Sequence, residues 1–235
     1  MKENEKKVQE AASFYTEQIL NIDFKQTEFV YRSVKPFFKG NLALELGPAS
    51  GYMTKYLVND FGALHLVEGS QELLDQIPAY ENVIRHHSMF EDFNTPLKFD
   101  TIIMSHVLEH IEQPVPVLRK IKTWLAGDGV FIISVPNARS IHRIVAVKMG
   151  LLKTENTLNE RDHTLGHYRV YDMKTLCADI NAAGYKILHK GGSFLKPISN
   201  GQIEQYWTPE MVDGFFEAGK EFPENCAEIF VVCTQ

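Results

Sequence analysis

Two acidic residues end short apolar runs early in the chain, and each stands just before a turn. Glu45 follows Leu42-Ala43-Leu44 and opens the stretch Glu45-Leu46-Gly47-Pro48-Ala49-Ser50-Gly51. Glu68 ends Leu64-His65-Leu66-Val67 and is followed by Gly69-Ser70. Gly47 and Gly51 let the backbone pass close to a ligand without a Cβ in the way. Ala49 keeps the side chain small but suits positive φ less well than glycine, so the turn is expected to differ from a phosphate-binding one. Pro48 removes an N–H that a phosphate cradle would use, and no Gly-Lys-Ser/Thr ending makes this a P-loop. A carboxylate at Glu68 can accept hydrogen bonds from both hydroxyls of a ribose. One at Glu45, an acceptor-only group, suits an ammonium. The pair describes a ligand with a free ribose and an ammonium group; NAD has no ammonium.

Histidine supplies the candidate proton acceptors. Of nine His, His106 and His110 flank Val107-Leu108-Glu109. A helix starting there would place both rings on one face at i and i+4, with Glu109 adjacent. His106 is a candidate base or acceptor-orienting residue; His110 reads as a structural or substrate-contacting imidazole. A second cluster, Asn159 to Tyr171, spaces His163 and His167 four apart among Arg161, Arg169 and Tyr171, with Gly166 interrupting any single helix face. Arg forks grip anionic groups and His can take a proton, so this segment reads either as a lid over a polar acceptor or as a solvated loop. His65, His86, His142 and His189 receive no role.

These residues need elements to hold them. Residues 5–38 carry apolar positions at three- and four-residue steps, which predicts a helical cap. Short apolar runs follow at 42–46, 63–67, 83–85, 101–104 and 130–135, separated by helix-like stretches at 52–59, 71–77 and 115–125. Such alternation predicts βαβ units and a mainly parallel sheet covered on both faces. It is interrupted after Pro136 and resumes with a helix from Met173, a strand at 185–190 and a last strand at 227–233. The expected plan is one α/β domain, 1–235, with a Rossmann-like, seven-stranded, mostly parallel sheet and helices on both faces. It comprises an N-terminal cap (1–40), a cofactor-binding core (41–136) and lid insertions at 137–171 and 195–225. Insertions in open α/β folds gather over the strand ends where ligands bind. Phe194, Tyr206 and Trp207 in the second either wall a pocket or pack it onto the sheet, and packing is the better default for aromatics.

With the motifs in this order, the chain resembles the class I S-adenosylmethionine-dependent methyltransferases, strongly over about 40–135 and more loosely over the last two strands. The first motif is Glu45 to Gly51 and the second acidic position is Glu68. The third stretch is His86 to Asp92, and the most specific is Phe99-Asp100-Thr101-Ile102-Ile103-Met104-Ser105-His106-Val107-Leu108-Glu109-His110-Ile111. The segment Leu125 to Asn137 matches the family's turn and fifth strand. The resemblance implies S-adenosylmethionine as cofactor and S-adenosylhomocysteine as product. It implies cofactor contacts from Tyr15, Glu45, Gly47, Pro48, Ala49, Gly51, Tyr52, Met53, Glu68, Gly69, Ser70, Ser88, Met89, Phe90, Ser105 and His106. The Asp that members often carry near Ser88 is absent. His106, His163 and His167 are the alternative bases, and His110, Asn137, Arg161, Arg169 and Tyr171 the expected acceptor contacts. No metal is expected; the alternative, by analogy with relatives that methylate quinone precursors, is a divalent ion on His106, Glu109 and His110.

The leading expectation is O-methylation of a small polar acceptor (a sugar, a glycan building block or a natural-product hydroxyl), because a hydroxyl needs help losing its proton. N- or C-methylation, a nicotinamide oxidoreductase and a non-catalytic cofactor-binding protein are the competing classes. A net charge of −6 speaks against a nucleic-acid partner. No apolar run approaches the roughly 20 residues of a membrane span. Three cysteines without metal spacing, and a charged start, lead to the expectation of a cytoplasmic protein with reduced thiols. A homodimer is possible on this reading.

Overall fold

The computed structural model describes residues 21–235. Seven strands form one sheet: β1 (Leu42–Leu46), β2 (Ala63–Glu68), β3 (Val83–His87), β4 (Phe99–Ser105), β5 (Leu125–Pro136), β6 (Lys186–Ser193) and β7 (Glu228–Thr234). Their spatial order is β3-β2-β1-β4-β5-β7-β6. β1 to β5 run parallel, and β7 lies antiparallel between β5 and β6. The chain leaves β1 toward β2 and β3 on one side, then returns to place β4 on the other. That reversal makes a crevice beyond the carboxyl ends of β1 and β4, where open α/β sheets bind ligands.

Alternation along the strands builds the two layers. Leu44, Leu46, Ile102, Met104, Phe131 and Ile133 face one buried cluster, whereas Ala43, Ile103, Val130 and Ile132 face the other. The strand period of two forces this split, and it is why the runs read as continuously apolar. Short helices cover the sheet: α1 (Asn21–Val34), α2 (Thr54–Leu57), α3 (Gln71–Gln76), α4 (Pro114–Lys122) and α7 (Met173–Ala182). Ser70 caps α3 by accepting from the Leu73 N–H, and Asp172 and Thr175 form a capping box on α7. Cys177, Cys226 and Cys233 are buried free thiols. Among the described residues no helix is long and apolar enough to cross a membrane.

Both insertions are anchored where they leave the sheet. The first carries α5 (Ile141–Lys148) and α6 (Glu160–Thr164), and its ends meet at a bridge between Asn137 and Tyr171. Asn137 serves this closure: its Nδ2 donates to the carbonyls of Glu224 and Cys226, and its Oδ1 accepts from Arg139 N–H. The second insertion carries α8 (Asn200–Tyr206) and α9 (Pro209–Gly219). It packs a third cluster, Ile22, Phe29, Phe194, Ile203, Phe216 and Ala227, between α1 and the sheet. Phe194 is fully buried there and Trp207 stacks on Phe215, so these two pack the insertion, whereas Tyr206 is exposed.

Phe29 stacks on Phe216 with ring centroids 4.3 Å apart and no exposed surface. Phe29→Ala is expected to cost about 3–5 kcal/mol of unfolding free energy through lost burial and the cavity left behind. Urea unfolding checks this; a loss below about 1 kcal/mol would mean that α1 is not held by this stack.

Candidate active site

A cavity of ≈410 Å³ opens over the carboxyl ends of β1, β2, β4 and β5 and the amino end of β7, and runs under both insertions. That volume lies within the roughly 300–1,000 Å³ typical of small-molecule sites. Its two halves differ in chemistry.

The first half is the glycine turn. Gly47 has φ +66°, and a Cβ added there would lie 2.4 Å from Val107 Cγ2. The turn after β1 and the turn after β4 therefore interlock, and only glycine fits at the contact. Ala49 differs from expectation: it adopts φ +48°, a left-handed conformation that costs a non-glycine residue roughly 1–2 kcal/mol. Its N–H donates to Glu68 Oε2 at 3.1 Å, while Ser70 N–H donates to Oε1 at 3.0 Å. The two donors fix the Glu68 carboxylate at the cavity edge. Burial raises its pKa, and the Ser70, Ala49 and Gly69 N–H groups oppose that rise.

Glu45 is buried at the end of β1, held by Thr54 Oγ1 at 2.6 Å from Oε2. Burial raises its pKa to about 7, against the Thr54 hydrogen bond and with help from the Glu68 charge. Pro48, Tyr52, Met53, Gly69, Ser88, Met89, Phe90 and Ser105 also line the cavity. Phe24 of α1 reaches in against the Tyr52 ring at 4.3 Å between centroids. Gly51 and Ser70 support this half without lining it: Gly51 N–H closes the turn onto the Pro48 carbonyl. Tyr15 lies outside the described residues. An apolar slot beside an oriented carboxylate, with a second buried acid at its end, fits a nucleoside joined to an amino-acid ammonium.

The second half is polar and deeply buried. His106 follows β4 with φ +55°, so no α-helix begins there; Leu108–His110 is a single 3-10 turn. The expected shared face of His106 and His110 is therefore not formed. His106 turns its Nε2 to Glu228 Oε2 at 3.4 Å and its Nδ1 to Glu109 Oε1 at 3.8 Å. His110 instead meets the His167 ring, edge to face at 4.6 Å. Burial lowers the pKa of His106 to about 4 and of His110 to about 3.

The first insertion adds His167, whose Nδ1 lies 3.2 Å from Asp162 Oδ1. Burial would raise the Asp162 pKa, but the His167 and Asn159 hydrogen bonds and the Arg143 charge bring it down to about 2. Arg161 lines the rim and pairs with Asp23 at 3.0 Å. His163, Arg169 and Tyr171 stand elsewhere, correcting the expectation that they reach the acceptor. His163 is exposed on α6, because that helix presents Asp162 to the interior. Arg169 donates to the Glu112 carbonyl, and Tyr171 is buried and donates to Asp179. Asn137 borders the cavity, but its side chain is committed to the closure described above.

Several lining residues were not legible in the sequence. Glu228, at the start of β7, accepts from Gln26 Nε2 at 3.2 Å and is buried. Lys196 is buried and donates to Asn200 Oδ1 at 2.7 Å. Burial raises the Glu228 pKa and lowers that of Lys196, and each group's charge opposes the other's shift. His142, given no role above, lines the same chamber, and its Nδ1 has no hydrogen-bond partner. Glu228 had one signal in the chain: an acid at the start of a buried apolar strand, the mirror of Glu45 and Glu68, which stand at strand ends.

Comparison with known proteins shows the family and the fold. Residues 23–190, more than half of the chain, match the family model described as a methyltransferase domain. No curated protein matches the sequence. Similar solved structures include an S-adenosylmethionine-dependent methyltransferase from Mesorhizobium loti (13% identity, TM-score 0.62, covering 87% of this chain and 97% of that one). Another is the N-methyltransferase NodS from Bradyrhizobium japonicum WM9 in complex with S-adenosylhomocysteine (12%, 0.55, 89% and 84%). A third is a methyltransferase from Archaeoglobus fulgidus (16%, 0.59, 89% and 94%). At these identities the structural likeness shows the fold.

Glu45 titrates near pH 7 before a ligand binds, and an ammonium beside it favours the ionised form. Binding of S-adenosylhomocysteine with its ammonium at Glu45 is expected to release a proton there, so affinity should rise with pH up to about 7, by at most about tenfold per unit. Calorimetry at several pH values checks this, with Glu45→Gln expected to weaken binding and flatten the dependence. A slope that persists in the variant would assign it to another group. The matched domain and the seven-stranded sheet together identify the family: the chain belongs to the class I S-adenosylmethionine-dependent methyltransferases.

Proposed function

We propose that this methyltransferase transfers the methyl group to the hydroxyl of a small polar acceptor held in the chamber beneath the two insertions, with His106 as base. The carrying observation is His106 itself: a half-buried, neutral imidazole at the carboxyl end of β4, between the cofactor turn and a chamber lined by Glu109, Glu228 and Lys196. Bound S-adenosylmethionine supplies an electrophilic methyl on a sulfonium. The chain must align a nucleophile with it, exclude water and accept a proton.

Glu68, oriented by the Ala49 and Ser70 N–H groups, would accept from the ribose hydroxyls, and Glu45 from the ammonium. Tyr52, Met53, Met89 and Phe90 would enclose the nucleoside. Burial keeps His106 uncharged at neutral pH, so it is ready to accept a proton. Glu228, 3.4 Å from Nε2, would then accept a hydrogen bond from the imidazolium that forms. Lys196, Asn200 and Arg161 offer donors to acceptor oxygens. A second reading, methylation of an amine, has one observation behind it: Glu228 Oε2 and both Glu109 oxygens are buried without hydrogen-bond partners, which suits a cationic acceptor.

His106→Gln is expected to lower kcat on hydroxyl acceptors by about 10²–10⁴-fold, the usual contribution of a positioned base, with S-adenosylhomocysteine affinity little changed. Because His106 works as the neutral form, protonation inactivates it. The wild-type kcat should therefore hold on acidification and fall only as pH nears 4. Labelled-methyl assays on paired alcohol and amine acceptors decide the class. Turnover of amines alone, or an unchanged kcat in the variant, rules out the hydroxyl reading.

A further inference from the structure

We propose that Glu109, His110 and His167 form a binding site for one divalent transition-metal cation. One donor atom from each of the three lies within 4.8 Å of the others. Glu109 is 1% exposed, and neither carboxylate oxygen has a hydrogen-bond partner. A buried carboxylate left so costs free energy unless something fills the gap. A hydrogen-bonded cluster would bring an imidazole N–H onto Glu109; here the nearest ring, His106, stops at 3.8 Å. A cation contracts such a set to donor distances of roughly 2.0–2.2 Å and satisfies all three at once.

The surroundings are those of a ligand set. Asp162 holds Nδ1 of His167, which fixes the tautomer and leaves Nε2 to coordinate, as outer carboxylates do for metal-bound histidines. Asp162 is itself anchored by Asn159 N–H and the Arg143 guanidinium. Tyr168 N–H donates to the Glu109 carbonyl at 2.9 Å, tying the insertion to the 3-10 turn so that His167 arrives beside Glu109. His106 is not part of the set, since its Nε2 faces Glu228. Two imidazoles and one carboxylate favour zinc, iron(II), cobalt, nickel or manganese over magnesium or calcium. Three protein ligands leave positions open toward the chamber. A cation there, next to His106, would lower the pKa of an acceptor hydroxyl, so that the proton passes to His106 as the oxygen–methyl bond forms and the sulfur–methyl bond breaks. That role rests on the hydroxyl-acceptor reading; the cation site does not.

The test is titration of chelator-treated protein with Co(II), read by visible d–d absorption and by metal analysis after desalting, alongside calorimetry with S-adenosylhomocysteine to show that each variant is folded. One equivalent is expected in the wild type, in His106→Gln and in His163→Ala. Glu109→Gln and His167→Ala should abolish stoichiometric uptake, and Asp162→Asn should weaken it by about 10–100-fold. No uptake by the wild type, or full uptake by the Glu109→Gln/His167→Ala double variant, overturns the site. Loss of uptake in His106→Gln would overturn the assigned ligand set. If Co(II) binds but only amines are methylated, the hydroxyl reading fails and the site stands. If alcohols are methylated by protein that takes up no cation, the site fails and the reading stands.

Discussion

Glu109 and Glu228 are buried beside neutral histidines, and three of their four carboxyl oxygens have no hydrogen-bond partner. Groups of this kind oppose folding, since each loses its hydration without a full replacement. Burial accordingly pushes the carboxyl pKa values up and those of His106, His110 and His142 down, so that most of the chamber sheds its charge. The structure keeps them because they sit on rigid supports. Glu228 starts β7, which pairs with β5 and β6 on either side. Glu109 lies in a turn whose preceding residue pair is locked by Val107 against Gly47. Three apolar clusters provide the stability that tolerates the chamber, and the insertions close it from above.

Under the proposed function the two halves of the cavity, one for the cofactor and one for the acceptor, solve different problems. The cofactor half uses backbone: a left-handed Ala49 aims an N–H at Glu68, and glycine at position 47 yields space to Val107. Strain of this sort persists where the surrounding structure over-determines it. The acceptor half uses side chains gathered from five separate segments, and nearly all of them titrate. His106 belongs to both halves, and its own positive φ places the imidazole at their junction.

What the sequence revealed follows from how local each feature is. The alternation of apolar runs and helix-like stretches is local, so the sheet and the helices on both its faces could be expected; residues 1–20 of the expected cap lie outside the described residues. Strand ends drifted: β6 extends through Gly191 and Gly192 to Ser193, where missing side chains admit Phe230 and Pro223. The cofactor half was legible because Glu45, the turn and Glu68 fall within 24 residues and each carries its own chemistry. The acceptor half was not. Its members meet only in three dimensions, so nothing in the sequence links His167 to Glu109 or marks Lys196 and His142. The i, i+4 reading of His106 and His110 failed because the left-handed residue stops a helix from starting. That conformation has no signature in a histidine.

The central claim is that the chamber's buried carboxyl group is retained for function at the expense of stability. The most direct measurement compares the wild type with Glu109→Met, with unfolding free energy read in the presence of chelator and methyl-transfer rate read with Co(II) supplied. A flexible apolar side chain of similar length should fill the site. The account predicts a variant more stable by roughly 1–3 kcal/mol, the desolvation cost of an unpaired buried group, with methyl transfer lost. A variant that is less stable and still active would contradict it.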